Sequence, residues 1–239
     1  MQLSLRLKAI ADMVTEGNRL VDVGCDHGYL PVYLVMKGRV PSAIAMDVRK
    51  GPLMKARENI RQYRLTSYIT TRQSDGLKEL SEGEGDTLVI AGMGGPLMER
   101  ILTEGKRVRE SFSELILQPQ SDVGHFRHFI RKEGWEIVQE EMILEGGKYY
   151  PMMRALPMRA VYPDGEAPRW SPCQEAFGRL LLEKRHPVLE AYLQREKELR
   201  DRLLQTLSEA GGEAAKRRME EVKEERRLIL DACKYYEDM

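Results

Sequence analysis

Val21-Asp22-Val23-Gly24-Cys25-Asp26-His27-Gly28-Tyr29 is the stretch from which the rest of the chain is best read. It closes a short apolar run, Arg19–Gly24, and leaves through Gly-x-x-x-Gly into an apolar segment near 29–37. A buried strand that ends on a carboxylate and turns through glycines into a helix makes a nucleotide-binding turn. Glycine lets backbone approach a ligand closely, and the helix start offers N–H groups with no partner in the helix. Many strand–helix turns carry two glycines, so the stretch needs support from elsewhere.

Two later carboxylates supply it. Asp47 ends the next apolar run, Ser42–Asp47, about 20 residues on, the spacing at which an acidic side chain accepts from ribose hydroxyls. Ser74-Asp75-Gly76 follows a third run, Tyr68–Arg72, and puts a second carboxylate where an adenine amino group can donate to it. Either residue alone reads equally well as a helix cap or an Asx turn. Together with Asp22 they point to an adenosine ligand at the carboxyl edge of a sheet. A pyrophosphate binder needs a second glycine where Asp26 stands, and a carboxylate there repels phosphate. S-adenosylmethionine carries a sulfonium and an ammonium and no phosphate, so Asp22 and Asp26 favour the methyl donor over NAD.

Outward from this turn, strands and helices alternate. Leu3, Leu7, Ile10, Met13 and Val14 recur at helical spacing before Gly17; Gly51-Pro52 opens a helix to about Tyr63. Further strands fit Thr87–Ala91 and Glu114–Leu117, and further helices 95–104 and 122–133. Trp135–Leu144 and Tyr149–Leu156 read as a closing antiparallel pair turned at Gly146-Gly147. The pattern predicts an α/β fold, a doubly wound and mostly parallel Rossmann-like sheet with one antiparallel strand. Composition changes near residue 160, at the Pro-rich joint Pro157–Pro172. This gives a sheet domain over 1–160 and a helical, coiled-coil-like hairpin domain over 161–239.

The 239 residues carry 38 Lys and Arg against 38 Asp and Glu, so bulk charge does not draw this chain to nucleic acid and any RNA contact needs a local basic patch. Three dispersed cysteines (Cys25, Cys173, Cys233) exclude a disulfide scaffold and a CxxC zinc site. No apolar run approaches the ~20 residues of a membrane span, and no signal-peptide core opens the chain. The expectation is a cytoplasmic protein with neither membrane nor metal. His125-x-x-His128 has no third ligand close by in the sequence.

Ile90-Ala91-Gly92-Met93-Gly94-Gly95-Pro96 follows the fourth strand, and three glycines in four positions mean that backbone faces whatever binds there. Leu117-Gln118-Pro119-Gln120 ends the fifth strand on the same rim, with amides suited to a base edge or to capping the next helix.

Taken together, Leu3-Ser4-Leu5-Arg6-Leu7, the Asp22–Pro31 segment (D-V-G-C-D-H-G-Y-L-P), Ile90–Gly95, Leu117-Gln118-Pro119 and Glu145-Gly146-Gly147-Lys148-Tyr149-Tyr150 resemble the bacterial tRNA (adenine-22-N1)-methyltransferases over roughly residues 2–160. The resemblance implies a class I methyltransferase domain that uses S-adenosylmethionine to methylate N1 of a tRNA adenine. It implies cofactor contacts at Asp22, Gly24, Cys25, Gly28, Asp47 and Val48, and at Asp75, Gly76, Gly92 and Met93. The acceptor would meet Tyr29, Gly94, Gly95 and Gln118, with Asp26 as the catalytic carboxylate and His27 as a helper. The bland reading of Asp26 is a loop brace, and that of His27 a packed structural histidine.

Basic residues gather around one predicted helix (Arg49, Lys50, Lys55, Arg57, Arg61, Arg64) and in a predicted loop (Lys106, Arg107, Arg109). Either group reads as a solvated face or as a grip on RNA phosphates. In the tail, Leu189, Tyr192, Glu196, Leu199 and Leu203 step by three and four, as do Met219, Val222, Arg226, Ile229, Cys233 and Tyr236, around Gly211-Gly212. An antiparallel fold about that turn predicts Glu196 opposite Arg226 in the seam. The tail would clamp tRNA or join two copies, leaving monomer and homodimer both open. Two other functions fit the sequence: a methyltransferase acting on a small molecule or protein, and a non-catalytic RNA-binding protein.

Overall fold

Strand β1, Leu20–Val23, is buried at all four positions, which requires a sheet covered on both faces. A computed structural model describes residues 1–237 of the chain. In it β1 lies inside a sheet with β2 (Ala43–Asp47), β3 (Ile69–Gln73), β4 (Thr87–Met93), β5 (Glu114–Pro119), β6 (Trp135–Glu145) and β7 (Lys148–Pro157). The seven strands run in the order β3-β2-β1-β4-β5-β7-β6. The first five are parallel, and β7 alone is reversed, pairing antiparallel with both β5 and β6. Gly146 (φ +56°) and Gly147 (φ +76°) make the tight turn that allows this reversal.

From β1 the chain winds outward to β2 and β3, then returns to place β4 on the other side of β1. That reversal between β1 and β4 leaves a crevice at the carboxyl ends of the strands. Helices α1 (Leu5–Met13), α2 (Tyr29–Met36), α3 (Lys50–Gln62), α4 (Gly95–Glu104) and α6 (Val123–Lys132) fall where periodicity and turn residues predict them. The loop expected at 106–109 is instead a one-turn helix, α5 (Lys106–Arg109). Arg109 is fully buried there, 2.9 Å from Glu133, and its guanidinium donates to Leu102 O, so it is an internal brace and presents nothing to RNA.

The chain forms two compact units, Met1–Ala167 and Pro168–Met239. The first runs past residue 160 because α7 (Met158–Val161) continues directly from β7. The second opens with a capped helix, α8 (Pro172–Phe177), in which Ser171 Oγ accepts from Gln174 N and Ser171 N donates to Gln174 Oε1, and a short helix, α9 (Arg179–Glu183), follows it. Two long helices, α10 (Pro187–Ala210) and α11 (Gly212–Cys233), turn at Gly211. Their seam buries Leu189, Leu193, Val222, Ile229 and Ala232, whereas Leu199 and Leu203 are exposed. The expected Glu196–Arg226 contact is replaced. Arg226 pairs with Asp201 at 2.5 Å, while Arg200 joins Glu196 and reaches across to Glu225 at 2.9 Å. A guanidinium fork bridges two carboxylates, so the charges pair off the register that the apolar positions set. No helix among the described residues is long and apolar enough to cross a membrane.

Candidate active site

A cleft of about 730 Å³ opens at the carboxyl edge of the sheet, over the β1/β4 reversal. The ends of β1, β2 and β4, the loop after β3 and the first turns of α1 and α4 form its walls. Of the residues expected in the site, Asp22, Gly24, Cys25, Asp26, Tyr29, Asp47, Val48, Asp75, Gly76, Gly92 and Met93 line it. Val48 and Leu97 expose 55% and 41% of their surface there, apolar area that a planar ligand would cover.

Asp22 sits on β1 and is 5% exposed, with no hydrogen-bond partner for its carboxylate among the described residues. Burial above all, then the charge of Asp47, pushes it up to about 7; Arg6 pulls the other way, and Asp26 adds a smaller push. A buried carboxylate left in this state is built to receive a cation. Burial, helped by the neighbouring carboxylates, also pushes the Cys25 thiol up, so it stays protonated and is no nucleophile.

Asp47 is equally buried, and its Oδ1 accepts from Arg49 N at 2.9 Å, with Arg49 Nε 3.6 Å away. The Asx-type brace is therefore present, yet Oδ2 keeps no partner among the described residues and remains available to a hydroxyl. Asp75 is more committed: Lys78 Nζ lies 2.7 Å from Oδ2 and Arg100 Nη2 3.1 Å from Oδ1. These two cations hold its carboxyl below the usual range. Ser74 stiffens the same loop, its Oγ donating to Gly76 O and accepting from Glu79 N.

The glycines do different work from one another. Gly24 adopts φ +77° and, with Cys25, donates its N–H to Met46 O at 2.8 and 2.9 Å. The start of the turn is thus pinned to β2, and those amides are not free for a ligand. Gly28, expected on the cofactor, does not line the cleft; a Cβ there would sit 3.1 Å from Ala56 Cβ, so it lets α2 approach α3. Gly94 and Gly95, expected on the acceptor, pack against the loop after β5, and a Cβ on Gly95 would come within 2.6 Å of Ser121 O. Gly92 does face the cleft, at φ +79° in an irregularity of the β4–β5 ladder.

Gln118 and Gln120 part company. Gln118 is fully buried; its Oε1 accepts from Gly92 N and from Arg6 Nη1, both at 3.1 Å, and its Nε2 donates to Pro119 O. The amide that lines the cleft is Gln120. Asp26 lies at the cleft, exposed and at φ +50°, with His27 Nε2 3.6 Å from its Oδ1. His27 itself does not line the cleft and stacks edge-on with Tyr29. His125 pairs with Glu99 at 3.5 Å.

Sequence reasoning missed Arg6, Leu7, Ser74, Leu97 and Arg100 in the wall. Ser4 caps α1 by accepting from Leu7 N, and Leu5 N donates to Glu145 Oε1 at 2.7 Å, which carries Arg6 over the cleft. The signals were in view: Ser4 as a cap, and Leu97 and Arg100 three apart on the helix that follows the glycine turn.

Residues 3–153 match the family model described as a methyltransferase domain. The tRNA (adenine(22)-N(1))-methyltransferase of Bacillus subtilis (strain 168) is 37% identical over 155 residues, which is 65% of this chain and 65% of that protein, just under two thirds of its length. The crystal structure of the B. subtilis m1A22 tRNA methyltransferase TrmK superposes with a TM-score of 0.82 at 30% identity, covering 97% of this chain and 98% of that one. Sp1610 of Streptococcus pneumoniae, solved in complex with S-adenosyl-L-methionine, gives 0.83 at 31% identity over 97% and 99%.

Proposed function

The chain belongs to the methyltransferase-domain family and, within it, to the tRNA (adenine-22-N1)-methyltransferases, and from that premise we propose that it transfers a methyl group from S-adenosylmethionine to N1 of adenine 22 in tRNA. One observation carries the reading: Asp22, Asp47 and Asp75 gather around a single cleft at the β1/β4 reversal, with Asp22 buried and lacking a partner. That donor set fits an adenosyl sulfonium. Asp47 would hold the ribose, Asp75 the adenine edge and Asp22 the ammonium, while carboxylates at these points disfavour a dinucleotide pyrophosphate. When bound, the cofactor supplies an electrophilic methyl group on a positively charged sulfur.

Adenine N1 has an in-plane lone pair, so no general base is needed before attack. The residues of the cleft therefore align the base and exclude water. Gly92 leaves room for the acceptor to approach, and Gln120 offers it an amide. N1 lies on the Watson–Crick edge, so the base enters unpaired. Methylation leaves the ring cationic, and Asp26 at the cleft supplies the compensating charge. The exposed side of α3 and the turn that follows it, with Lys50, Arg61 and Arg64, is a surface for RNA phosphates and predicts salt-sensitive binding.

Labelled methyl transfer to bulk tRNA tests the reading. Label is expected at N1 of adenine 22 and absent when that base is guanine. Incorporation into protein and not into tRNA would overturn it. Asp26→Asn is expected to keep cofactor affinity and lose at least ~100-fold in turnover. Near-normal turnover would make Asp26 a loop brace.

A further inference from the structure

The order of the strands divides the cleft. Asp22, Asp47 and Asp75 stand at the ends of β1, β2 and β3, so an adenosyl group held by them lies over that half of the sheet. The acceptor is left with the β4 side. Among the described residues only Gln120, just past the end of β5, reaches the cleft from beyond β4 and α4. Strands β1 and β5 flank β4, so the Gly92 turn lies between the loop that carries Asp26 and Tyr29 and the loop that carries Gln120.

Gln120 is fixed at its backbone and free at its side chain. Its N–H donates to Met93 O at 2.8 Å, which ties the residue to the end of β4. Its carboxamide makes no hydrogen bond among the described residues and does not cap α6, whose N-cap is Asp122. Gln120 Nε2 lies 3.8 Å from the point where a Cβ on Gly92 would stand, so the amide overlooks a floor of bare backbone.

The edge of adenine that presents N1 also presents the N6 amino group beside it. An amide N–H donated to N1 would occupy the lone pair that attacks the methyl carbon. An amide oxygen accepting from N6 leaves that lone pair clear. As N1 takes the methyl group the ring becomes cationic and N6 a stronger donor, so this contact strengthens in the transition state. We propose that Gln120 reads the acceptor base, its Oε1 accepting from N6–H of adenine and holding N1 toward the methyl donor. This rests on the function proposed above and adds to it the group that recognises the exocyclic amine.

Labelled methyl transfer by the full chain, to tRNA carrying adenine or unsubstituted purine at position 22, tests the assignment, because purine keeps N1 and lacks the amine. Gln120→Leu is expected to lower kcat on the adenine tRNA about 10- to 100-fold while KM moves less than about threefold, the range for a hydrogen bond to a charged group. Purine is the weaker nucleophile in any site, so the change in preference is decisive. The adenine-over-purine ratio of single-turnover rates should fall by the same factor in Gln120→Leu, and Gln120→Asn, which keeps a shorter amide, should regain part of it. Calorimetry should find S-adenosylmethionine bound by Gln120→Leu as tightly as by wild type. The proposal is overturned if Gln120→Leu turns over the adenine tRNA at close to the wild-type rate. It is also overturned if the variant slows both tRNAs equally, which would make Gln120 a mere wall of the pocket, or if it loses cofactor affinity, which would assign the amide to the methyl donor. Wild-type protein that methylates no tRNA at adenine 22 would instead remove the functional reading itself, and this proposal with it.

Discussion

Asp22→Asn is expected to weaken S-adenosylmethionine binding by about 100-fold at pH 8 and to erase its pH dependence. The carboxyl titrates near 7 in the ligand-free protein because it is buried beside Asp47. A cationic ligand needs the ionised form, so wild-type affinity should rise about tenfold per pH unit from pH 5 and level off above 7. Asparagine has no such titration, and its profile should be flat. A wild-type profile already flat between pH 5 and 8 would show that Asp22 does not meet the ligand's positive charge.

The same variant should move stability the opposite way. Asp22 binds its proton more tightly in the folded chain, near 7, than in the unfolded one, near 3.8. Between those values the native state holds the extra proton, so wild-type stability falls as pH rises through the window, by on the order of 4 kcal/mol at ~1.4 kcal/mol per pH unit. Without ligand at pH 8, Asp22→Asn should therefore melt above wild type; at pH 4 the two should nearly coincide. A site that gives up stability to hold an unpaired charge is one organised for binding.

Glu114→Gln should lower the melting temperature by about 10 °C, from a loss of about 3–5 kcal/mol on breaking a buried charged network. Glu114 is 1% exposed at the end of β5 away from the cleft. It accepts from Thr15 N (2.9 Å), Thr15 Oγ1 (2.8 Å), Thr87 Oγ1 (2.6 Å) and Arg154 Nε (2.7 Å). One carboxylate thereby ties the end of α1 to three strands. Burial pushes its pKa up, but the bonds from Thr87, Thr15 and Arg154 outweigh that and hold it below the usual range. The stability it contributes is thus present above pH ~4.5 and is lost as pH falls through the lowered value. Glutamine removes the charge and leaves Arg154 facing a neutral amide. The cost should show at pH 7, shrink in acid and leave cofactor affinity at 20 °C unchanged. A shift under 2 °C at pH 7 would mean the network is worth no more than a surface contact.

Legibility in the sequence followed the range of the physics. Strand–helix alternation, the Gly146-Gly147 reversal and the acidic strand ends are local patterns, set by side-chain periodicity and backbone preference. They were enough to specify a doubly wound sheet, its one reversed strand and the carboxylates Asp22, Asp47 and Asp75 at a common edge. The residues they could not place owe their roles to partners far along the chain. Arg6 reaches the cleft because Glu145 anchors its helix, and it is held there by Gln118. Gln118 and Gln120 are two apart on one strand end and chemically identical, yet one is walled in and the other faces the cleft. Arg109 reads as surface charge in the sequence, but in the fold it is fully buried and its guanidinium donates to Glu133. In the helical pair, apolar spacing marked a hairpin, but the reach of Arg200 and Arg226 decided which carboxylates they met. Periodicity tells which way a side chain points; what it meets there is settled only when distant segments pack, because burial and charge pairing depend on the neighbours they bring.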